Sequence, residues 1–431
     1  SHSAAFGLLA YQSTWLRVHY GPEFLCALLN EQPMGFYAPD SLIHEAAGRG
    51  IAVLGLDVNA SDVECTVEPG GVRLGLGYVK GAAVADVREL VAERERGGPF
   101  RDLGELAARC GAARPTLERL AWSGACDGLV EVPADAMPLS GDRSAERNEP
   151  GSAIDAGSAT YAESATYPGR AAAAGRASQV RRRLALWQLG IAAPGRAAAH
   201  GTQLALALEL PAAPRLRPLS RWQRLLADYA ATGVTVGDHV LAALRPRLTA
   251  PMLATSAQLA RLPQGAAVTV AGLVIARQRP GTAKGTMFLL FEDELGTINL
   301  IVPRAVYECH RPLARAEPLL LARGRLERTV GETAGAMRGG AEEIPLVVNV
   351  IVRELAALER FIGPAAGEEA AAQAQVHRLP AVAAESAVAA DAVAAGDGGR
   401  GCDGEGDGVE VGASLRAVAP AVQSFGAGRR R

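Results

Sequence analysis

The residues whose types and spacing could do chemistry sit mainly in two glycine-bearing loops. Leu76-Gly77-Tyr78-Val79-Lys80-Gly81, followed by a helical stretch from Ala82 to Arg94, has the form of a helix-hairpin-helix unit. A tight turn of this kind aims backbone N–H groups at a helix N-terminus, where a phosphate is held without its sequence being read. Lys80 would add a point charge there, and Gly81 lets the turn close. A glycine-capped helix turn with an exposed lysine is the plainer reading, because a fuller hairpin has glycine where Ala83 stands. A second unit runs from Phe100 through Cys110-Gly111 to Thr116 and on to Gly124. The other loop is Arg277-Gln278-Arg279-Pro280-Gly281-Thr282-Ala283-Lys284-Gly285, between two expected strands. There Arg277, Arg279 and Lys284 would track a single-stranded backbone. Phe288 and Phe291 on the following strand fall on opposite faces, so one is core; Phe288 is taken as the one that could stack a base. Lys80 and Lys284 are the only lysines in the chain, one in each loop.

No catalytic centre is legible. Glu292-Asp293-Glu294 reads as a solvated turn, no D-x-D lies on a strand, and there is neither a P-loop nor a G-x-S-x-G. His2, His19, His44, His239, His310 and His377 lack metal-ligand spacing and read as surface or packing residues. No catalytic residue, metal ligand or cofactor is therefore assigned. Six cysteines without a C-x-x-C pair fit a reducing compartment better than a disulfide framework or a zinc site. Forty-four Lys and Arg against 46 Asp and Glu exclude a uniformly basic nucleic-acid coat, so any polyanion site is local. No apolar run is long enough to span a bilayer, and a cytoplasmic protein is expected. Gln203-Leu204-Ala205-Leu206-Ala207 faintly resembles a peptide that docks into a bacterial sliding clamp, with Gln203, Leu204 and Leu206 as contacts; incidental Ala/Leu composition is the other explanation.

The elements that must carry these loops follow from periodicity. Phe6, Leu9, Trp15, Leu16, Phe24, Leu25, Leu28 and Leu29 recur at helical spacing, split by Gly21-Pro22 into a helix pair. Ser1 opens inside the first helix, so a truncated chain is expected. Pro39-Asp40-Ser41 supplies first-turn and cap chemistry for a helix through Ala47. Val63 to Val67, Pro69-Gly70-Gly71 and Val72 to Leu76 read as a hairpin. Two helical units follow to about Leu129. Amphipathic helices are expected near Leu184 to Leu189 and from Trp222 to Tyr229. Five strands then read Val268 to Ala276, Thr286 to Glu292, Thr297 to Val302, Leu319 to Leu326 and Ile344 to Ile351, with a helix from Pro303 to Leu313: the order of an OB-fold barrel. The fold class is thus multidomain α+β, helical hairpin units followed by a β-barrel, with a disordered linker at 130–179 and a disordered tail at 364–431, where bulky residues are few.

A run of passages in fixed order resembles the C-terminal part of the bacterial error-prone DNA polymerases, C-family enzymes related to the replicative polymerase III alpha subunit. They are Ser1 to Gln12, Trp15-Leu16-Arg17, Pro22-Glu23-Phe24, Leu28-Leu29-Asn30 through Met34-Gly35-Phe36-Tyr37, Asp57-Val58-Asn59-Ala60-Ser61-Asp62, and Arg73 to Leu76 with Val79-Lys80-Gly81. Asp228-Tyr229 with Thr232-Gly233, Val270 to Val274, Arg277 to Gly285 and Glu292-Asp293 with Gly296-Thr297 complete the set. The resemblance implies the end of a fingers subdomain at 1–62, a duplex-binding hairpin region at 63–129, a helical connector at 180–262 and a single-strand-binding OB-fold at 263–363. It places His2, Ser3 and Tyr11 near an incoming nucleotide. The palm, with its metal-binding aspartates and Mg2+, would precede Ser1, so the chain alone should not transfer nucleotides. Primer-template and single-stranded DNA, a sliding clamp and accessory mutagenesis proteins are the implied partners, in translesion synthesis and repair. Without a palm, an exposed apolar patch is expected around Phe6, Trp15 and Phe24. Pro303-Arg304 and the insertion from Gly331 to Glu343 depart from the barrel pattern and should loosen its last hairpin. A protein-interaction scaffold without direct DNA binding is the alternative function.

Overall fold

The computed structural model describes residues 2–34, 37–131, 180–191, 216, 218–329, 347–363, 415–419 and 423–425. Helices α1 (His2–His19), α2 (Gly21–Asn30) and α3 (Pro39–Gly48) lead to short strands β1 (Val53–Leu54), β2 (Thr66–Glu68) and β3 (Gly71–Arg73). A 3-10 turn at Leu76–Tyr78 precedes α4 (Val84–Gly97), α5 (Leu103–Arg109) and α6 (Arg114–Trp122). Helix α7 covers 180–191. Next come α8 (Arg221–Ala231), α9 (Val240–Leu244), β4 (Leu253–Ala254), α10 (Ser256–Leu259), β5 (Ala267–Gln278), β6 (Met287–Asp293) and β7 (Gly296–Val302). The described chain ends with α11 (Arg304–Cys309), α12 (Arg311–Ala316), β8 (Leu319–Thr329), β9 (Val347–Ala357) and β10 (Gln423–Phe425). No described helix is long and apolar enough to cross a membrane.

The chain divides into two compact units, one of residues 56–63 and 81–224, the other of 1–55, 64–80 and 225–431. The first is helical. Its core is a set of leucines at helical spacing, Leu90, Leu103, Leu106, Leu117, Leu120 and Leu184, all nearly inaccessible to solvent. Asp102 caps α5 by accepting from the Glu105 N–H at 2.8 Å, and Pro115 sits in the first turn of α6, where its missing N–H costs nothing. Asn59 holds the chain at Phe100 from both sides: its Nδ2 donates to Phe100 O at 2.7 Å and its Oδ1 accepts from Phe100 N at 2.8 Å.

In the second unit the expected hairpin closes with Thr66 opposite Arg73 and Glu68 opposite Gly71, and β1 adds to it in parallel. Gly71 is required there, since its φ is +151° and a Cβ would strike the backbone carbonyl of Ala52. The barrel has the OB-fold order. β5 pairs antiparallel with β6, β6 with β7, β7 in parallel with β9, β9 antiparallel with β8, and β8 closes back onto β5. Val270, Leu289, Phe291, Leu300, Leu320, Ala322 and Val350 fill it, one from every second position of their strands. Gly272 makes room for the Phe291 ring, because a Cβ on it would lie 2.6 Å from that side chain.

Three expectations change. The last hairpin is not loose: β8 and β9 pair from Leu320 opposite Ala357 to Thr329 opposite Val347, with one shift at Arg323/Gly324, where Gly324 lets the Ile351 carbonyl approach. The single helix expected from Pro303 to Leu313 is two, because the chain turns at His310 before Pro312 starts α12. Two pieces of the tail expected to be disordered are described and ordered. Residues 415–418 are helical, with Leu415 buried and Arg416 paired to Glu317 and Glu359, and β10 lies parallel to β5 opposite Ala276 to Gln278. The linker at 130–179 falls almost wholly outside the described residues. Truncating Phe291 to Ala should destabilise the fold by about 3–5 kcal/mol, measured by urea unfolding followed by circular dichroism, because the ring has no other filler. A loss below about 1 kcal/mol would mean that Phe291 is not a centre of the core.

Candidate nucleic-acid interface

The two hairpin turns lie at the surface, with Gly77, Lys80, Gly81 and Gly111 exposed, but other groups of the chain already engage their donors or the helix start beside them. The 3-10 turn Leu76–Tyr78 leads through Val79, Lys80 and Gly81 into α4, and Gly81 has φ +71°. Lys80 is not a free point charge at that turn. Its backbone N–H donates to Ala231 O at 2.7 Å and its ammonium to Tyr229 O at 2.9 Å, both at the C-terminal end of α8. Partial desolvation lowers its pKa. A Cβ on Gly81 would strike the guanidinium of Arg119, a neighbour far along the chain that no local motif signals. In the second hairpin, Gly111 is exposed with φ +59°, yet the start of α6 already holds an anion: Asp86 Oδ2 accepts from Thr116 Oγ1 at 2.6 Å and Ala113 N at 3.2 Å.

The barrel turns its chemistry outward. Phe291 is fully buried, whereas Phe288 is 36% exposed on the opposite face of β6. On that outer face Phe288 is registered with Ile301 of β7, Leu290 with Asn299, and Asn299 and Ile301 with Asn349 and Ile351 of β9. The result is a shallow strip of apolar and amide side chains of the kind on which bases stack. The loop between β5 and β6 rises beside it. Lys284 is exposed, in a left-handed backbone conformation at φ +50°, and Arg279 lays its guanidinium 4.3 Å from the ring centre of Tyr307. Arg277 departs from the expected role. It is 4% exposed, donates from Nε to Ala314 O at 3.0 Å and from Nη2 to Glu317 O at 2.6 Å, and burial brings its pKa down to about 10. The register shift between Val274 and Ala276 resets the alternation of β5, so Arg277 lies opposite the core residue Leu289, turned inward where it satisfies the end of α12. Ser3 and Tyr11 lie exposed on α1 with Phe6 and Trp15, the expected apolar surface, although Phe24 is half-buried; of His2 only the backbone is described. Gln203, Leu204 and Leu206 lie outside the described residues.

The acidic run is the largest correction. Glu292 and Asp293 are not solvated; they are 4% and 3% exposed. Asp293 accepts from Ser256 N at 2.7 Å and Ser256 Oγ at 2.6 Å and from the turn N–H groups of Leu295 and Gly296, and Glu294 takes a two-pronged bond from Arg245 at 2.7 Å on each oxygen. Glu292 receives His44 Nδ1 at 2.6 Å, with His239 Nε2 3.8 Å away. Asp40 stands in the first turn of α3 as expected, and its carboxylate accepts from Tyr229 Oη at 2.8 Å and Thr235 N at 2.8 Å.

His44, His239 and Glu292 are the group of three potential metal donors among the described residues, their atoms within 4.8 Å of one another. His44 already has an oxygen neighbour at each ring nitrogen, Glu292 Oε1 2.6 Å from Nδ1 and Thr235 Oγ1 3.2 Å from Nε2. His239 Nδ1 accepts from Leu241 N at 3.1 Å, which leaves the proton on Nε2, facing Glu292. Burial alone would lower the His44 pKa, but its bond to Glu292 and the charges of Asp40 and Glu292 outweigh that and raise it. Burial, then the charges of His44 and Arg245, push His239 down to about 3. The signs oppose. Stability from His44 is complete below the unfolded value of about 6.5 and lost as pH rises through its higher folded value. Asp40, raised chiefly by desolvation, acts in the same direction. Stability from neutral His239 is lost as pH falls from about 6.5 toward its folded value. Thermal unfolding across pH 5 to 9 should therefore peak near neutrality, with His44→Gln flattening the alkaline limb and His239→Asn the acid limb; profiles unchanged by both substitutions would sink the assignment.

A family model described as a helix-hairpin-helix motif matches residues 50–134. An error-prone DNA polymerase of Anaeromyxobacter sp. (strain K) is 38% identical over 341 residues, covering 76% of this chain and 25% of the relative. The error-prone DNA polymerase of Alkalilimnicola ehrlichii is 38% identical over 333 residues, 76% of this chain and 27% of its own length. That of Pseudomonas fluorescens is 35% identical over 370 residues, 82% and 30%. A solved asparaginyl-tRNA synthetase from Pyrococcus horikoshii aligns with 22% of this chain and 20% of its own at 19% identity and a TM-score of 0.16, too slight a likeness to bear on the fold. The chain spans about a quarter of the length of the first of these relatives. Across three quarters of its own length it is thus a relative of the bacterial error-prone DNA polymerases, carrying a helix-hairpin-helix motif and an OB-fold barrel.

Proposed function

We propose that this chain is the C-terminal DNA-binding portion of an error-prone DNA polymerase acting in damage-induced translesion synthesis and repair in the cytoplasm. The observation that carries the reading is the exposed strip of the barrel, Phe288 beside the Arg279 and Lys284 loop, in a chain related to polymerases. Bases of a single-stranded template stack on Phe288 while Lys284 neutralises phosphate and Arg279, steadied on Tyr307, presents its guanidinium edge. The hairpin region supplies the contact to primer-template duplex. Nucleotidyl transfer and its Mg2+ ions belong, in this reading, to a palm outside these residues, with His2, Ser3 and Tyr11 near the incoming nucleotide. A sliding clamp and accessory mutagenesis proteins are the protein partners proposed, the clamp through Gln203, Leu204 and Leu206. A clamp pull-down lost in L204A/L206A at high salt would support that contact, and one unaffected by the change would remove it.

Fluorescence anisotropy on primer-template and on single-stranded DNA, at about 50 and 200 mM salt, tests the main claim. Affinity should fall steeply with salt. Lys284→Ala and Arg279→Ala should weaken single-strand binding evenly across sequences and each flatten the salt slope by about one unit. Phe288→Ala should cost about 1–3 kcal/mol with the slope intact, as lost stacking does. Absence of binding at low salt, or binding indifferent to salt, would overturn the proposal.

A further inference from the structure

The first hairpin carries the hallmarks of a phosphate-binding turn, yet another group of this chain is seated at it. Helix α8 ends in a glycine cap: Gly233, at φ +84°, donates its N–H to Tyr229 O at 3.0 Å. The carbonyls of that last turn carry the negative end of the helix dipole. Lys80 meets them twice, by backbone N–H to Ala231 O and by ammonium to Tyr229 O. These are the two donors, one from the main chain and one from a lysine, that a hairpin turn offers a phosphate oxygen. The fit is close at the cap as well, because a Cβ on Gly233 would lie 3.0 Å from Lys80 Nζ. Below this contact Tyr229 is fully buried and bonded to Asp40, so the α8 end is held in place by its own core anchor and not by Lys80 alone.

We propose that the C-terminal turn of α8 is an internal stand-in for DNA phosphate at Val79-Lys80-Gly81, so that duplex DNA gains this turn only when the last turn of α8 gives it up. The inference rests on the reading of the hairpin region as a duplex contact and adds its regulation: α8 and duplex compete for the same donors. Single-stranded DNA on the barrel does not enter that competition.

The test compares a short blunt duplex with a single strand of the same sequence by anisotropy, using the full chain. Gly233→Ala strains the cap and crowds Lys80, loosening the contact. Duplex affinity should then rise about 3- to 10-fold, the range spanned by one net hydrogen bond, while single-strand affinity stays unchanged. Adding Lys80→Ala should abolish the gain. A folded Gly233→Ala chain whose duplex affinity is unchanged or lower, or a gain that survives loss of Lys80, overturns the proposal. Amide exchange on the unaltered chain gives an independent reading should that variant fold poorly. The Lys80 N–H should be protected alone and lose protection with saturating duplex; protection that persists overturns it too. If no variant binds duplex while the single strand still binds in a salt-dependent way, the competition is refuted and the barrel reading stands.

Discussion

One buried charge arrangement sets much of the barrel-bearing unit. The His44 ring on α3 lies between Glu292 on the outer face of β6 and Asp40 one turn back, and Asp40 in turn receives Tyr229 of α8 and the Thr235 amide. Removing water from two carboxylates is costly unless charge and hydrogen bonds replace it. The two carboxylates raise the His44 pKa, and these contacts join α3, α8, the segment before α9 and the barrel wall. Losing a single partner would leave a buried charge uncompensated, which is why this junction is cooperative where a surface ion pair such as Arg304–Glu308 is not.

With that junction formed, basic groups divide into those engaged by other groups of the unit and those set on the barrel loop. Lys80, Arg277 and Arg245 are each committed to backbone carbonyls or carboxylates of the same unit. Lys284 is exposed, and Arg279 rests on the face of Tyr307 with its Nε turned to Gly285 O at 3.4 Å. For a chain of nearly balanced charge this sorting matters more than the total, because a local positive loop needs its neighbours' charges already satisfied.

Most of the scaffold was legible because it rests on local signals. The Gly21-Pro22 break, the Pro69-Gly70-Gly71 turn, the α3 start at Pro39 and the five barrel strands follow from period and punctuation, which act within a few residues. Phe288 and Phe291 separate by the two-residue alternation of a strand in the same way. What failed depended on distant partners. Glu292 looked solvated because nothing near it in sequence signals His44, 248 residues away. Asp40 does stand in the first turn of α3 as expected, but its side-chain donors lie nearly 200 positions on and nothing nearby signals them. Lys80 looked free for the same reason, and Arg277 looked like part of a loop because strand β5 runs two residues further than its apolar pattern. The closing hairpin was underrated since its second strand runs beyond the insertion from Val347 to Ala357, past the end expected at Ile351, and pairs along its length with β8.

The near absence of lysine gives the molecule an unusual handle. Of all its side chains only two are primary amines, and they stand in different loops under different constraints: one with its nitrogen engaged by helix carbonyls, the other open on a left-handed turn of the barrel. Amine-directed reagents therefore distinguish hairpin from barrel without any engineering, and the relative speed at which the pair react reports how firmly the engaged nitrogen is held.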